Sequence, residues 1–224
     1  MDETTRIFQD RADAGERLGE ALIQYRDSGA IVLGIPRGGV EVGFVVAEAL
    51  DAVFSVLVVH KLPFLDNAEA GFGAVAEDGS VFFMPQYRSV LHPVEVKRII
   101  REQEAEVIRR VKKFRPEQPM PDLAGRHVIV VDDGIAMGST TRAAVMCCRN
   151  KGAGKVTVAA PVASPDAVRL LREAADELVV LLVPPFFQAV AEFYEDWHDC
   201  TDQEAMKWVN RVRAGAGVSR WPAG

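Results

Sequence analysis

Residues 128–140, VIVVDDGIAMGST, restrict the possible folds more than any other stretch of the chain. Four β-branched residues predict a strand that is buried on both faces, and two acids, Asp132 and Asp133, follow it directly. A loop with Gly134, Ala136 and Gly138 follows, and the hydroxyl residues 139–141 are typical of the first turn of a helix. A strand, a loop of small residues and a helix in this order form the repeating unit of a parallel sheet.

The rest of the chain repeats this alternation of short apolar runs and helical patterns. The predicted core strands are residues 30–35, 54–60, 127–133, 155–162 and 177–184. The predicted helices are residues 10–27, 39–50, 94–114, 139–151, 165–174 and 201–213. We therefore predict an α/β fold with a mainly parallel sheet flanked by helices, in a Rossmann-like arrangement of three layers.

Residues 73–86, GAVAEDGSVFFMPQ, interrupt the alternation. Turn-forming residues at 78–80 separate two short apolar runs, which predicts a hairpin. We expect residues of about 61–90 to form a small flap beside the main sheet. The remaining pattern predicts one domain over residues 1–214 and a flexible tail over residues 215–224.

Composition and charge exclude several classes of protein. The chain has 224 residues, 49% of them hydrophobic, which is enough for one sizeable core. Its formal net charge of -6 and its lack of a basic tail disfavour nucleic acid as a partner. We expect neither a membrane span nor export, because no long uncharged apolar window and no signal segment is present. The three cysteines lack zinc-site spacing and indicate buried thiols of a cytoplasmic protein.

The acid pair, Asp132 and Asp133, lies where parallel sheets bind ligands, because strand ends meet helix N-termini there. Backbone N–H groups and hydroxyls of the following loop suit a phosphate monoester, and two carboxylates suit sugar hydroxyls or a hydrated Mg²⁺ ion. A Walker loop is excluded because no lysine follows Gly138, and residues 34–43 also lack the GxGxxG dinucleotide pattern. The competing interpretation is an acid pair that only caps a structural strand–helix turn.

The stretch resembles the 5-phosphoribosyl 1-diphosphate (PRPP) signature of type I phosphoribosyltransferases, which implies the fold of that family. The resemblance implies that Asp132 and Asp133 are catalytic and hold the ribose hydroxyls and a Mg²⁺ ion, directly or through water. It further implies that a substrate 5'-phosphate is bound by Ala136, Met137, Gly138, Ser139 and Thr140.

Two of these positions depart from the family pattern. Met137 stands where the family usually has Thr or Ser, so one hydroxyl donor to the phosphate is missing. Ala136 stands where some purine-specific relatives carry an acid that faces the base. The departure at Ala136 makes purine salvage a less favoured form of nucleotide salvage for this chain.

Residues 34–43, GIPRGGVEVG, extend the resemblance to a second loop. They follow the first predicted strand and open a helix, where the family places its diphosphate loop. Gly38 and Gly39 permit close approach of the backbone to a diphosphate, and Arg37 supplies a planar, permanently charged group. The resemblance therefore implies that all three bind substrate and that Arg37 is catalytic. The competing interpretation is an ordinary strand–helix turn.

Lys61 is the third element of the predicted site. We place it at the end of the second core strand, where it adds a point charge near the diphosphate or is only a solvated strand-end lysine. From Gly34 onwards the chain resembles a bacterial and archaeal group of phosphoribosyltransferases that usually has an Arg-Lys pair at these positions. His60 replaces the arginine, which weakens the cationic clamp near neutral pH.

The acceptor site is defined by position alone. Residues 160–165 and 183–190 are expected to border it, with Phe186 or Phe187 either stacking on a ring or covering the edge of the sheet.

Two remaining segments carry charged and aromatic residues at helical spacing. Residues 191–199, AEFYEDWHD, read as core plus a solvated face, with a metal cluster of Asp196, His198 and Asp199 as the alternative. Helix 94–114 interleaves acids and bases, which favours a surface helix or the contact of a homodimer.

Two functions follow from the resemblance. The first is a Mg²⁺-dependent phosphoribosyltransferase that joins PRPP to an unidentified, nucleobase-like nitrogenous acceptor and releases pyrophosphate. The second is a non-catalytic regulatory protein that senses PRPP or a nucleotide, which Met137 and His60 favour. A third, weaker interpretation is that the site binds another phosphorylated sugar, or catalyses hydrolysis or phosphorolysis.

Overall fold

The computed structural model describes residues 7–64, 67–87, 91–116 and 118–215. The strands in this part of the chain are β1 (Ile31–Gly34), β2 (Val53–Val56), β3 (Val59–Phe64), β4 (Asn67–Ala76), β5 (Val81–Phe83), β6 (His127–Val131), β7 (Lys155–Val162) and β8 (Glu177–Leu182). The helices are α1 (Arg11–Ala21), α2 (Gly38–Leu50), α3 (Pro93–Phe114), α4 (Ser139–Asn150), α5 (Pro165–Arg172) and α6 (Asp202–Arg213).

The main sheet has five parallel strands in the order β2-β1-β6-β7-β8, which confirms the predicted fold class. Its β-branched strands are apolar on both faces because both faces are covered by helices. In β6, Ile129 and Val131 belong to the core shared with α1, α2 and α6, whereas Val128 and Val130 belong to the core shared with α4 and α5. The strands β1 and β6 are neighbours, so their carboxyl ends lie side by side.

The predicted strand 54–60 is wrong, because this apolar run contributes to two sheets. β2 ends at Val56, and β3 begins at Val59 in a separate antiparallel sheet, β3-β4-β5. At the crossing, Leu57 N donates to Gly34 O of the main sheet, and Val58 O accepts from Glu77 N beside the small sheet. The run stays apolar because each segment is buried in its own sheet.

Lys61 is misplaced by the same error. It lies within β3 of the small sheet and not at the end of a core strand. Its side-chain stem packs on β4, where a Cβ atom added at Gly71 would lie 2.5 Å from Lys61 Cγ.

The small sheet contains the predicted hairpin. Between β4 and β5 the chain turns at Gly79, whose φ of +85° requires a residue without a Cβ atom. Asp78 Oδ1 accepts a hydrogen bond from Ser80 N at 3.0 Å and closes the turn. The division into one domain with a flap over residues 61–90 stays a prediction. Residues 216–224 of the predicted tail lie outside the described residues.

Two segments with helical spacing contain less helix than their sequences indicate. The helix expected over residues 10–27 ends at Ala21, and a 3-10 turn over Ile23–Tyr25 follows, whose Tyr25 hydroxyl donates to Glu177 on β8. Residues 191–199 are not helical beyond a 3-10 turn, because Tyr194 instead forms a β-bridge with Phe8. Among the described helices, none is both long and apolar enough to cross a bilayer.

Candidate active site

Two loops meet at the carboxyl ends of β1 and β6: the Arg37 loop, residues 35–39, and the Met137 loop, residues 134–138. The Pro36–Arg37 peptide bond in the first loop is cis. A Cβ atom at Gly38 would lie 1.7 Å from Asp133 Oδ2, and one at Gly39 would lie 2.8 Å from Val131 O. Only glycine at these two positions lets the Arg37 loop lie directly against the acid pair.

The acid pair is densely packed and strongly interacting. Asp133 N donates to Asp132 Oδ1 at 3.0 Å, and the buried Arg11 forms an ion pair with Asp133. Burial, followed by the negative charge of Asp133, raises the pKa of Asp132 well above its ordinary value. A cation or a hydrogen-bond donor brought by a ligand would favour the ionised form of Asp132 and lower its pKa.

The helices that begin at these two loops have no side-chain caps. α4 begins after Gly138, and α2 begins after Arg37, in each case without a capping side chain. Among the other helices, α1, α5 and α6 are capped by Asp10, Ser164 and Thr201, respectively, and α3 also lacks a side-chain cap. Uncapped first turns leave backbone N–H groups and the positive end of the helix dipole available to anions.

The Met137 loop is fixed to the neighbouring strand. Ile135 N donates to Val162 O at 2.9 Å, and Ser164 Oγ donates to Ala136 O at 2.5 Å. Gly138 has a φ of +76°, which a residue with a side chain rarely adopts. Met137 is 38% exposed at the outside of this rigid loop. The N–H groups of the loop are therefore held in place before any ligand arrives.

The other residues predicted for the site have different surroundings. Ser139 is buried and Thr140 is half-buried in the first turn of α4. Arg37 is exposed, and no salt bridge joins it to any residue in the described part of the chain. Burial and the charge of Arg110 lower the pKa of His60, so this ring does not supply the permanent charge of an arginine.

A cavity of about 620 Å³ adjoins the Met137 loop. Its lining residues include Met84, Gln86, Ala136, Met137, Ser164, Phe187 and Gln188. Both segments expected to border the acceptor, residues 160–165 and 183–190, therefore contribute to one cavity with the loop. Phe187 lines it and stacks on Phe193 at 5.5 Å, whereas Phe186 is 87% exposed.

Sequence reasoning missed three residues beside the acid pair. Arg11 Nε lies 2.8 Å from Asp133 Oδ2, and the Arg11 guanidinium stacks 4.1 Å from the centre of the Trp197 ring. The Tyr194 hydroxyl donates to Asp133 O at 2.6 Å. Arg11 lies near the start of the described chain, and Tyr194 and Trp197 lie near its end. The sequence offered only their aromatic and cationic character as a signal.

The acid pair offers hard oxygen ligands of the kind that Mg²⁺ prefers. No group of three or more His, Cys, Asp or Glu residues that could hold a metal occurs in the part of the chain that the structure describes, so the alternative cluster at Asp196, His198 and Asp199 is not formed. One or two carboxylates completed by water and substrate phosphates are the usual protein contribution to a Mg²⁺ site. The residues present therefore fit a Mg²⁺ ion that arrives with a phosphorylated substrate.

Comparisons with known proteins cover this part of the chain. A family model described as the phosphoribosyl transferase domain matches residues 72–196, which include the acid pair and the Met137 loop. Two curated relatives from Mycobacterium tuberculosis, MT0597 and Rv0571c, carry the provisional name phosphoribosyl transferase. Each is 38% identical over 209 residues, which are 92% of this chain and 47% of the relative. The chain thus spans about half the length of these relatives.

Solved structures agree with the fold. The crystal structure of TT1426 from Thermus thermophilus matches with a TM-score of 0.77 and 36% identity, over 91% of this chain and 97% of that chain. The structure of AQ2163 from Aquifex aeolicus matches with a TM-score of 0.50 and 13% identity, over 77% of this chain and 74% of that chain. At that identity the second match supports the fold alone.

Proposed function

The chain belongs to the phosphoribosyl transferase family, and we propose that it transfers the 5-phosphoribosyl group of PRPP to a nitrogenous, nucleobase-like acceptor, with Mg²⁺ bound and with release of pyrophosphate. One observation carries the proposal: the acid pair lies between two helix N-termini that no side chain caps. A sugar with a phosphate at one end and a diphosphate at the other has the charge pattern that this arrangement binds.

The assignment of groups follows from the positions of the two loops. The N–H groups of the Met137 loop and of the first turn of α4 bind the 5'-phosphate, because they are rigid and uncapped. The acid pair accepts hydrogen bonds from the ribose hydroxyls. The Arg37 loop binds the diphosphate, with the exposed guanidinium free to reach it. Lys61 adds charge from the small sheet when that sheet lies over the substrate.

The reaction needs no covalent intermediate on the protein. The bond between ribose C1' and the diphosphate oxygen breaks, a bond from the acceptor nitrogen to C1' forms, and the proton of that nitrogen passes to the departing pyrophosphate or to water. Bound Mg²⁺ supplies positive charge that stabilises the departing diphosphate. Arg37 and the N-terminus of α2 stabilise negative charge on the same group, while the acid pair keeps the ribose from moving as C1' changes partners.

The cavity beside the Met137 loop is the proposed acceptor site. Met84, Met137 and Phe187 supply apolar surface for a flat ring, and the amides of Gln86 and Gln188 supply both donors and acceptors. Position 136 contributes no acid, and the carboxylates that line the cavity are those of Asp166 and Glu173. We therefore favour a salvage acceptor other than a purine. The three buried, unpaired thiols suit a reducing cytoplasm.

The experiment that tests catalysis is a pyrophosphate-release assay with PRPP, Mg²⁺ and a panel of nitrogenous heterocycles. Release that depends on both the acceptor and Mg²⁺ supports the transferase. The alternative function, a regulatory sensor of PRPP, is favoured by Met137, which lacks a hydroxyl, and by His60, which lacks the permanent charge of an arginine. Tight Mg-PRPP binding without release for any acceptor would support the sensor.

Arg37→Ala is expected to weaken Mg-PRPP binding by about 10- to 100-fold, because a hydrogen bond to a charged group contributes roughly 1.5–3 kcal/mol. Ribose 5-phosphate has no diphosphate, so its affinity should not change. Titration calorimetry with both ligands measures the difference. Arg98→Ala, which removes an exposed arginine from α3, is the matched control. Equal losses for both ligands would place Arg37 outside the diphosphate site.

Met137→Thr is expected to tighten ribose 5-phosphate binding by about 2- to 10-fold, because a neutral hydrogen bond contributes roughly 0.5–1.5 kcal/mol. Met137→Leu, which keeps an apolar side chain and adds no hydroxyl, should leave the affinity unchanged. An unchanged affinity for Met137→Thr would show that the backbone of the loop already satisfies the phosphate.

A further inference from the structure

The second member of the acid pair is not free on all sides. Arg11 Nε donates to Asp133 Oδ2 at 2.8 Å, and Arg11 is only 4% exposed. The same oxygen faces the Arg37 loop, where a Cβ atom at Gly38 would lie 1.7 Å from it. Oδ2 is therefore enclosed by Arg11 and by the Gly38 backbone. The oxygen of Asp133 that remains for a ligand is Oδ1.

Arg11 is itself held by the C-terminal part of the domain. One terminal nitrogen of its guanidinium donates to His198 O at 3.1 Å, and the guanidinium lies 4.1 Å from the centre of the Trp197 ring. Tyr194 belongs to the same segment as Trp197 and His198, and its hydroxyl donates to Asp133 O at 2.6 Å. A guanidinium fixed by an ion pair, a carbonyl and an aromatic face has little freedom to move.

This arrangement fixes the rotamer of Asp133. A partly buried carboxylate without a cation would be costly, and the ion pair with the buried Arg11 offsets that cost. A ribose diol binds well only when the accepting oxygens are already in position, since ordering them on binding would reduce affinity. Arg11 reaches Asp133 from the first turn of α1, which is 122 residues away in the chain.

We propose that Arg11 is a positioning residue for the sugar subsite: by holding Oδ2 of Asp133 it presents Oδ1, together with Asp132, to the ribose hydroxyls. The inference rests on the proposed function, because it assumes that the acid pair binds a ribose. It assigns the start of α1 and the segment with Tyr194 and Trp197 to the sugar subsite. Neither belongs to the loop motifs that carry the resemblance.

The test compares three ligands on Arg11→Met. PRPP with Mg²⁺ and ribose 5-phosphate both carry the diol and should each bind about 10- to 100-fold more weakly, as is typical when a residue that orients a ligating carboxylate is removed. Pyrophosphate without Mg²⁺ carries neither the diol nor a metal ion that the acid pair would hold, so it should bind within about twofold of the wild type. This pattern is the opposite of the one expected for Arg37→Ala, which spares ribose 5-phosphate.

Two further variants keep the test decisive. Arg17→Met removes an equal charge from an exposed position on the same helix and should leave all three affinities unchanged. Arg11→Lys keeps the charge but lacks the planar fork, so it should fold and lose part of the affinity for both diol ligands. If Arg11→Met does not fold, the three affinities of Arg11→Lys test the inference by themselves.

Each outcome has one meaning. Equal weakening of all three ligands would reduce Arg11 to a structural role and overturn the inference, as would unchanged binding of both diol ligands. Wild-type protein that fails to bind Mg-PRPP would instead overturn the proposed function.

Discussion

The double variant Asp132→Asn/Asp133→Asn is expected to lose Mg-PRPP binding, with affinity lowered by more than about 100-fold. Each carboxylate makes charge-assisted hydrogen bonds to the ribose that contribute roughly 1.5–3 kcal/mol, and asparagine offers a weaker, neutral acceptor. The fold should survive, because the amide oxygen of an asparagine at position 133 can still accept from Arg11 Nε, whose partner in the wild type is Asp133 Oδ2. Loss of the Asp133 charge leaves the buried Arg11 without its counter-ion and lowers stability as well, so binding is measured at a temperature at which the variant is folded.

Titration calorimetry measures this loss, and circular dichroism checks the fold. Asp27→Asn/Glu102→Gln removes two carboxylates at positions that are 72% and 52% exposed, and it should bind Mg-PRPP as the wild type does. Binding of Mg-PRPP by the acid-pair variant at wild-type affinity would refute the assignment of Asp132 and Asp133.

Glu77→Ala is expected to destabilise the fold by about 3–5 kcal/mol, the usual cost of removing one partner of a buried ion pair. Glu77 and Arg115 form such a pair, with side chains 7% and 5% exposed. The second oxygen of Glu77 accepts from Val58 N at 3.0 Å, where the chain leaves the main sheet for the small one. The pair joins the small sheet to the end of α3. Removal of the Glu77 carboxylate therefore leaves the buried guanidinium of Arg115 without a counter-ion.

Thermal unfolding should show this as a fall in Tm of roughly 6 to 20 °C for a chain of this size. Asp166→Ala breaks an ion pair whose side chains are 81% and 73% exposed and should cost less than about 1 kcal/mol. Equal effects of the two substitutions would show that the Glu77–Arg115 pair does not stabilise the fold.

The main sheet was predictable because its strands are buried on both faces, and continuous apolar runs such as residues 127–133 report that burial directly. The boundary between β2 and β3 was not predictable for the same reason. Residues on both sides of Leu57 are apolar, and nothing local distinguishes burial in one sheet from burial in the next. The predicted position of Lys61 at the end of a core strand was wrong as a consequence.

The candidate site likewise has a part that was predictable from the sequence and a part that was not. Asp132, Asp133 and the glycines of the two loops lie in short contiguous motifs, so their types and order are informative. Arg11 and Tyr194 meet Asp133 only through the tertiary fold, at separations of 122 and 61 residues. No periodicity or spacing encodes such contacts.

Thermal unfolding with Mg²⁺ and, separately, PRPP, ribose 5-phosphate, AMP or pyrophosphate tests most directly whether the site binds a sugar carrying both a phosphate and a diphosphate. A ligand at about one hundred times its Kd adds roughly 2.7 kcal/mol of stability, or about 5 to 10 °C in Tm here. We expect the largest shift for Mg-PRPP. A shift with AMP or ribose 5-phosphate and none with Mg-PRPP would contradict the proposed site.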